Sequence, residues 1–174
     1  ALRHSEEQLR LATDAAEVGL WDVDTVANAL YWPPRVKAMF GISPDVPVSM
    51  ADFYAGLHPD DRAATTAAFA AACDPAKRAL YDVEYRAIGK EDGVIRWIAA
   101  KGRGIFNDQG VCVRVIGTAI DITAHKAAEA RRVFMLELSD ALRGGSTDDA
   151  LRAVSALMGR HFAVNRVGYG HLDP

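Results

Sequence analysis

The sequence predicts an α+β fold: one five-stranded antiparallel sheet with short helices on one face. Three observations lead there. The predicted elements run as two strands, several short helices and three longer strands, the order expected of a sheet packed against a helical patch. Tyr81, Val83 and Tyr85 alternate with Asp82, Glu84 and Arg86, which is the period of a strand with one buried and one polar face. Lys90-Glu91-Asp92-Gly93 and Asn107-Asp108-Gln109-Gly110 are polar quartets closed by glycine, the chemistry of hairpin turns.

The elements follow in order. Ser5 is a candidate N-cap, with Glu6 and Glu7 at the positive end of a helix running to Val18. Leu9, Ala12, Ala16 and Leu20 recur at helical spacing. Leu20 to Asp24 alternates like a half-buried strand, and Ala29 to Trp32 follows a turn at Asn28. Pro33-Pro34 ends that hairpin, because proline has no N–H for the ladder. Short helices are predicted over Arg35 to Phe40, Met50 to Leu57 and Asp60 to Cys73. The last has proline at its entrance and Asp60 and Asp61 in its first turn. Strands then occupy Leu80 to Ile88, Val94 to Phe106 and Val111 to Ile122. After Thr123, Ala127, Ala130, Phe134, Leu138 and Ala141 form a narrow apolar stripe on a long helix that Gly144-Gly145 breaks. Ser146 or Thr147 caps another helix, with Leu151, Val154, Leu157 and Met158 on its apolar face, and Val164 to Leu172 alternates as a strand. A helix pair and one strand cannot bury their own faces, so this segment is expected to open a further domain that is cut off.

The chain has 174 residues, half of them apolar and a quarter charged, with formal net charge −3. Such an apolar fraction supports a packed core and excludes a disordered chain. Slight acidity argues against nucleic acid as a partner, since phosphate binding needs a clustered basic surplus. No apolar run approaches the roughly 20 residues of a membrane-spanning helix, and no signal peptide opens the chain, so a cytoplasmic location is expected. Cys73 and Cys112 give neither a disulfide framework nor a metal quartet and read as reduced thiols. The five histidines offer no helical pairing for a metal. No phosphate-cradling glycine loop, nucleophile elbow or His-Glu-x-x-His motif is present. Asp22 and Asp24 share one face of a strand and, with Tyr31, are the candidates for a small-cavity acid–base enzyme; solvent-facing polar positions are the preferred reading.

Gly19-Leu20-Trp21-Asp22-Val23-Asp24, Tyr31-Trp32-Pro33-Pro34-Arg35, Met39-Phe40-Gly41-Ile42, His58-Pro59-Asp60-Asp61-Arg62, Glu84-Tyr85-Arg86, Gly93-Val94-Ile95-Arg96-Trp97 and Gly117 to Thr123 resemble, in order, the motifs of a PAS domain. The resemblance covers residues 15–123 and includes the C-terminal Asp121-Ile122-Thr123 motif. Residues 1–14 then form an N-terminal helix, 124–145 a connecting signalling helix and 146–174 a truncated start of a second domain. Phe134 to Arg143 with Asn165-Arg166-Val167-Gly168-Tyr169-Gly170 is similar to the first part of a GAF domain. The pair is the usual input architecture of bacterial sensor histidine kinases, and less often of cyclic-dinucleotide enzymes.

The resemblance implies a cavity between sheet and helices, with Trp21, Met39, Phe40, Phe53, Phe69, Val83 and Tyr85 as candidate lining residues. It implies no catalytic residue and no metal in this fragment, and a signal relay through Asp121, Ile122 and Thr123. It implies a homodimer through the N-terminal and connecting helices, using Ala127, Phe134, Leu138 and Ala141, with Leu138→Asp weakening the dimer more than any change on the polar sheet face. Covalent flavin chemistry is excluded, because neither Cys73 nor Cys112 lies in an Asn-Cys-Arg motif. Non-covalent flavin and haem stay open. His58 precedes the long helix and reads as a capping histidine more readily than as a haem ligand, and His125 as a solvated helix position.

Overall fold

A computed structural model of the chain describes residues 2–143, 147–161, 163 and 167. They divide into two compact units, Ala1–Thr123 and Ala124–Pro174. In the first, α1 (Leu2–Ala15) leads to the hairpin β1 (Gly19–Asp24) and β2 (Ala29–Tyr31). Three helices follow, α2 (Pro34–Met39), α3 (Met50–Gly56) and α4 (Pro59–Cys73). The meander β3 (Tyr81–Ile88), β4 (Ile95–Phe106) and β5 (Cys112–Asp121) completes the unit. All pairings are antiparallel and the sheet order is β2-β1-β5-β4-β3. The predicted fold class is the one observed.

Local chemistry explains the helix starts. Ser49 accepts from the Asp52 backbone N–H while the Asp52 carboxylate accepts from Ser49, a reciprocal cap on α3. His58 caps α4, its Nδ1 accepting from the Asp60 N–H at 3.4 Å, with Pro59 as the first helical residue. The capping reading of His58 is thus the one the geometry supports. α1 begins at Leu2, so Ser5 lies within the helix and not at its cap. No proline or glycine stops the helix from running back past that serine.

The core lies between the helices and the inner sheet face, where Val115, Ile98, Leu57, Phe40 and Val36 are sealed from solvent. Aromatic rings dominate it. Trp32 packs on Phe40 at 4.4 Å between centroids, and Tyr85 meets Phe53 at 6.1 Å nearly edge-on, the offset and edge-to-face arrangements aromatic pairs prefer. The outer sheet face departs from the sequence reading. It is polar along β3, but Leu20, Ile116 and Ile120 stand exposed on it from β1 and β5. Alternation marks a polar face only where every second residue is polar, and these two strands carry apolar residues on both sides.

The second unit contains α5 (Thr123–Arg143), whose first residue closes the first unit, and α6 (Thr147–His161). Asp148 and Asp149 occupy the first turn of α6 and Arg160 and His161 its last, each complementing the helix dipole. The break at Gly144-Gly145 and, apart from Val167, the strand predicted over Val164 to Leu172 lie outside the described residues. Among the described residues, no helix is long and apolar enough to cross a membrane.

Candidate functional site

A small cavity sits beneath the sheet, lined by Trp21, Val23, Trp32, Phe53, Phe69, Tyr81 and Tyr85 among others. Two glycines make room for its largest wall. A Cβ at Gly102 would stand 2.4 Å from the Trp21 ring, and one at Gly117 likewise 2.4 Å. Only hydrogen at both positions lets the indole lie across β5 and β4. Its Nε1 then donates to the Thr118 carbonyl at 2.9 Å, so the buried polar atom is satisfied.

Four of the predicted lining residues, Trp21, Phe53, Phe69 and Tyr85, are brought together here. Met39 and Phe40 instead fill the core behind α2, and Val83 packs half-buried against the core without lining the cavity. Sequence reasoning passed over Val23, Leu30, Trp32, Val36, Met50, Tyr81, Ala100 and Ala119, which complete the lining. Trp32 had a visible signal, a large aromatic just before Pro33-Pro34. The two alanines had none, because a small residue borders a hole only by what stands opposite.

The cavity measures about 30 Å³. That admits a water or two, whereas ligand pockets run to roughly 300–1,000 Å³. A haem or a flavin does not fit these walls. Burial raises the Tyr85 and Tyr81 hydroxyls above the usual phenol range, each further raised by a neighbouring tyrosine. Both remain neutral hydrogen-bonding groups at physiological pH.

The carboxylates considered for acid–base chemistry do structural work elsewhere. Asp22 is held by Arg114, whose Nε donates at 2.8 Å. Asp24 accepts from the N–H groups of Val26 and Ala27 at 2.9 and 2.8 Å, which builds the β1–β2 turn. Neither borders the inner cavity; Asp22 and Tyr31 line an open outer groove together with Arg114. Among the described residues, no group of three or more His, Cys, Asp or Glu side chains is placed to hold a metal.

The second feature is the junction from β5 into α5. Asp121 Oδ1 accepts from the Thr123 N–H at 2.9 Å and from its hydroxyl at 2.5 Å. The same hydroxyl accepts from the Trp97 N–H of β4 at 2.9 Å, and the Ile122 N–H donates to the Trp97 carbonyl at 2.8 Å. Trp97 in turn lies under the Arg86 guanidinium, 5.5 Å from the ring centroid. Arg86 is bound to Asp61 in the first turn of α4. A connected path of contacts therefore runs from α4 through β3 and β4 to the first residue of α5. Trp97, Arg86 and Asp61 stand in motifs the sequence shows, but only Asp121, Ile122 and Thr123 were expected to form the relay.

In the second unit, Phe134 stacks on His161 with centroids 4.0 Å apart, and Leu138 and Ala141 are half-buried, while Ala127 is exposed. Val133, Leu136 and Leu142 are exposed as well.

A family model described as PAS fold matches residues 29–119. The Non-motile and phage-resistance protein of Caulobacter vibrioides is 35% identical over 130 residues, 73% of this chain and 15% of that protein. The Sensor protein FixL of Bradyrhizobium diazoefficiens is 29% identical over 123 residues, 71% of this chain and 24% of that protein. The chain thus spans less than a quarter of the length of these two relatives. A Sensory Box Histidine Kinase/Response Regulator from Burkholderia thailandensis superposes with a TM-score of 0.63 and 35% identity, covering 76% of this chain and 98% of that one.

Proposed function

Because the chain belongs to the PAS-fold family, we propose that it is the sensory input and dimerisation module of a bacterial sensor histidine kinase. The fragment is a signal-sensing module and not a catalytic domain. The observation that carries the relay reading is the junction, where Thr123 is bonded both to Asp121 of its own strand and to Trp97 of the next. A shift of β4 against β5 must stretch or break the Trp97–Thr123 bond, and so it reaches the first turn of α5. The kinase reading rests on the likeness to the Burkholderia thailandensis protein and to the sensor protein of Bradyrhizobium diazoefficiens.

On this reading residues 146–174 begin a GAF domain, the output domains follow it, and the protein works in the cytoplasm. The module pairs with itself through α1 and α5. Val133 and Leu136, one turn apart, supply exposed apolar surface on one side of α5, and a two-fold axis lets that surface cover its copy.

The test uses the full-length protein of which this chain is part, incubated with ATP labelled on its γ-phosphate. Acid-labile, base-stable phosphate on histidine is the expected product, with Thr123→Val altering its response to signal. Conversion of GTP to a cyclic dinucleotide, with no phosphohistidine, would replace the kinase reading by a cyclase one.

A further inference from the structure

Gly104 of β4 lies under the last turn of α4. A Cβ there would stand 2.6 Å from the Ala72 carbonyl oxygen and 3.1 Å from Cys112 Sγ. The missing side chain thus lets the end of α4 settle on β4 immediately beside Cys112 of β5. Cys73 follows Ala72, and Cys112 is the neighbouring group that, after burial, pushes its thiol up. Other contacts hold the seam closed. The Arg78 guanidinium, just beyond α4, covers the Phe106 ring at 4.6 Å, and Phe106 is the cross-strand partner of Cys112. The Cys112 carbonyl accepts from the Thr25 hydroxyl at 2.6 Å. Both cysteines pack against the core but neither is sealed from solvent.

We propose that Cys73 and Cys112 are a modification site, a dithiol that a hydroperoxide converts reversibly into an intramolecular disulfide. The Cys112 thiolate attacks one peroxide oxygen, the O–O bond breaks, and the second oxygen leaves as water after taking a proton. Cys112 becomes a sulfenic acid. The Cys73 sulfur then attacks the Cys112 sulfur, the S–S bond forms, the S–O bond breaks, and the departing hydroxide takes the Cys73 proton. Two thiols and one hydrogen peroxide give one disulfide and two waters. The order of attack follows from the surroundings. Burial, reinforced by the neighbouring Cys112, pushes the Cys73 thiol up to about 12, so it is the poorer first nucleophile and acts as the resolving partner.

Such a bond would tie the end of α4 to the strand that continues into Asp121-Ile122-Thr123. It would also reshape an outer cleft of about 300 Å³ that Cys73 lines together with Tyr54, Met50 and Phe69. Met50 and Phe69 are shared with the inner cavity.

The experiment treats the reduced chain with hydrogen peroxide, alkylates it under denaturing conditions with iodoacetamide and maps its peptides by mass. The expected result is one peptide pair joined between Cys73 and Cys112, in a protein lighter by the two thiol hydrogens and restored by dithiothreitol. Cys73→Ser should leave a sulfenic acid on Cys112 that dimedone traps, and Cys112→Ser should leave Cys73 open to alkylation. Alkylation of both cysteines in treated wild-type protein would overturn the proposal. So would a disulfide found only between two chains. The wild-type map decides even where a serine variant fails to fold.

Discussion

Asp61 holds Arg86 through three hydrogen bonds. Its Oδ2 accepts from the Arg86 backbone N–H at 2.8 Å and from Nε at 2.9 Å, and its Oδ1 accepts from the guanidinium end at 2.8 Å. One carboxylate on the first turn of α4 thus fastens both the main chain and the side chain of β3. Two residues just before it add to the clasp: Asp60 also reaches the guanidinium at 3.3 Å, and His58 caps the same turn.

An acid limb in stability follows. Bonding to Arg86 lowers the Asp61 pKa below the ordinary carboxylate range, and Asp92, bonded to Arg96, is lowered to about 2. Lys90 and Ser49 lower Asp52 in the same direction. A depressed folded pKa contributes stability that is present above the unfolded value, about 4, and is lost as pH falls through the folded one. Urea midpoints measured from pH 6 downward should therefore hold to about pH 4 and then drop. Asp61→Asn should lower the midpoint at pH 6 and flatten the drop. A drop unchanged in Asp61→Asn would show that Asp61 is not among its causes.

Thr123→Val removes the hydroxyl that joins Trp97 to Asp121. The Trp97 N–H loses its acceptor, so the expected cost is about 1–2 kcal/mol, while Thr123→Ser should recover most of it. Hydrogen exchange at Trp97 gives the direct readout. Equal protection of that amide in wild type and Thr123→Val would exclude the junction bond from solution.

Gly117→Ala places a methyl group where the Trp21 ring and the Lys101 carbonyl already stand, with the ring 2.4 Å from the new atom. The indole must leave the sheet and give up its bond to Thr118. A loss of about 1–3 kcal/mol is expected, along with a red shift of tryptophan fluorescence. An unshifted spectrum at native stability would mean that the ring does not lie there.

Freshly purified chain should be colourless, since a cavity of about 30 Å³ holds neither haem nor flavin. A visible absorption band from stoichiometric pigment would show that the walls part to several times that volume.

Light scattering at rising concentration should show a dimer that Leu136→Asp weakens, because Leu136 is 60% exposed on α5. Loss of the dimer in Leu138→Asp but not in Leu136→Asp would move the interface to the side of α5 that carries Phe134. A monomer at high micromolar concentration would remove self-pairing from the proposed function.

Much of the fold was legible because its signals are local. Glycine-closed turns placed the meander, and strict alternation in β3 assigned its inner face to Tyr81, Val83 and Tyr85. The outer face of β1 and β5 was misread because Leu20 and Ile116 leave no polar mark at those positions. The cavity was half legible. Large aromatics declare themselves, but Ala100 and Ala119 line a space only through what lies across from them. Asp22 and Asp24 visibly share a strand face, but their partners were not legible: Asp22 answers an arginine distant in sequence and Asp24 its own turn. The approach of the Cys73 end of α4 to Cys112 depends on Gly104, which is far from Cys73 in sequence.

The clasp on Arg86 also closes an edge. β3 is a border strand of the sheet, and a border strand offers free N–H and C=O groups to any passing chain. Here Asp61 takes the Arg86 N–H, and the Arg86 carbonyl accepts from the His58 N–H at 2.9 Å. Ala87, next along, bridges to Leu57. At the opposite border β2 is three residues long and runs into Pro33-Pro34. The β3 margin is therefore closed to strand addition around Arg86, and the β2 margin presents only three strand residues before the prolines.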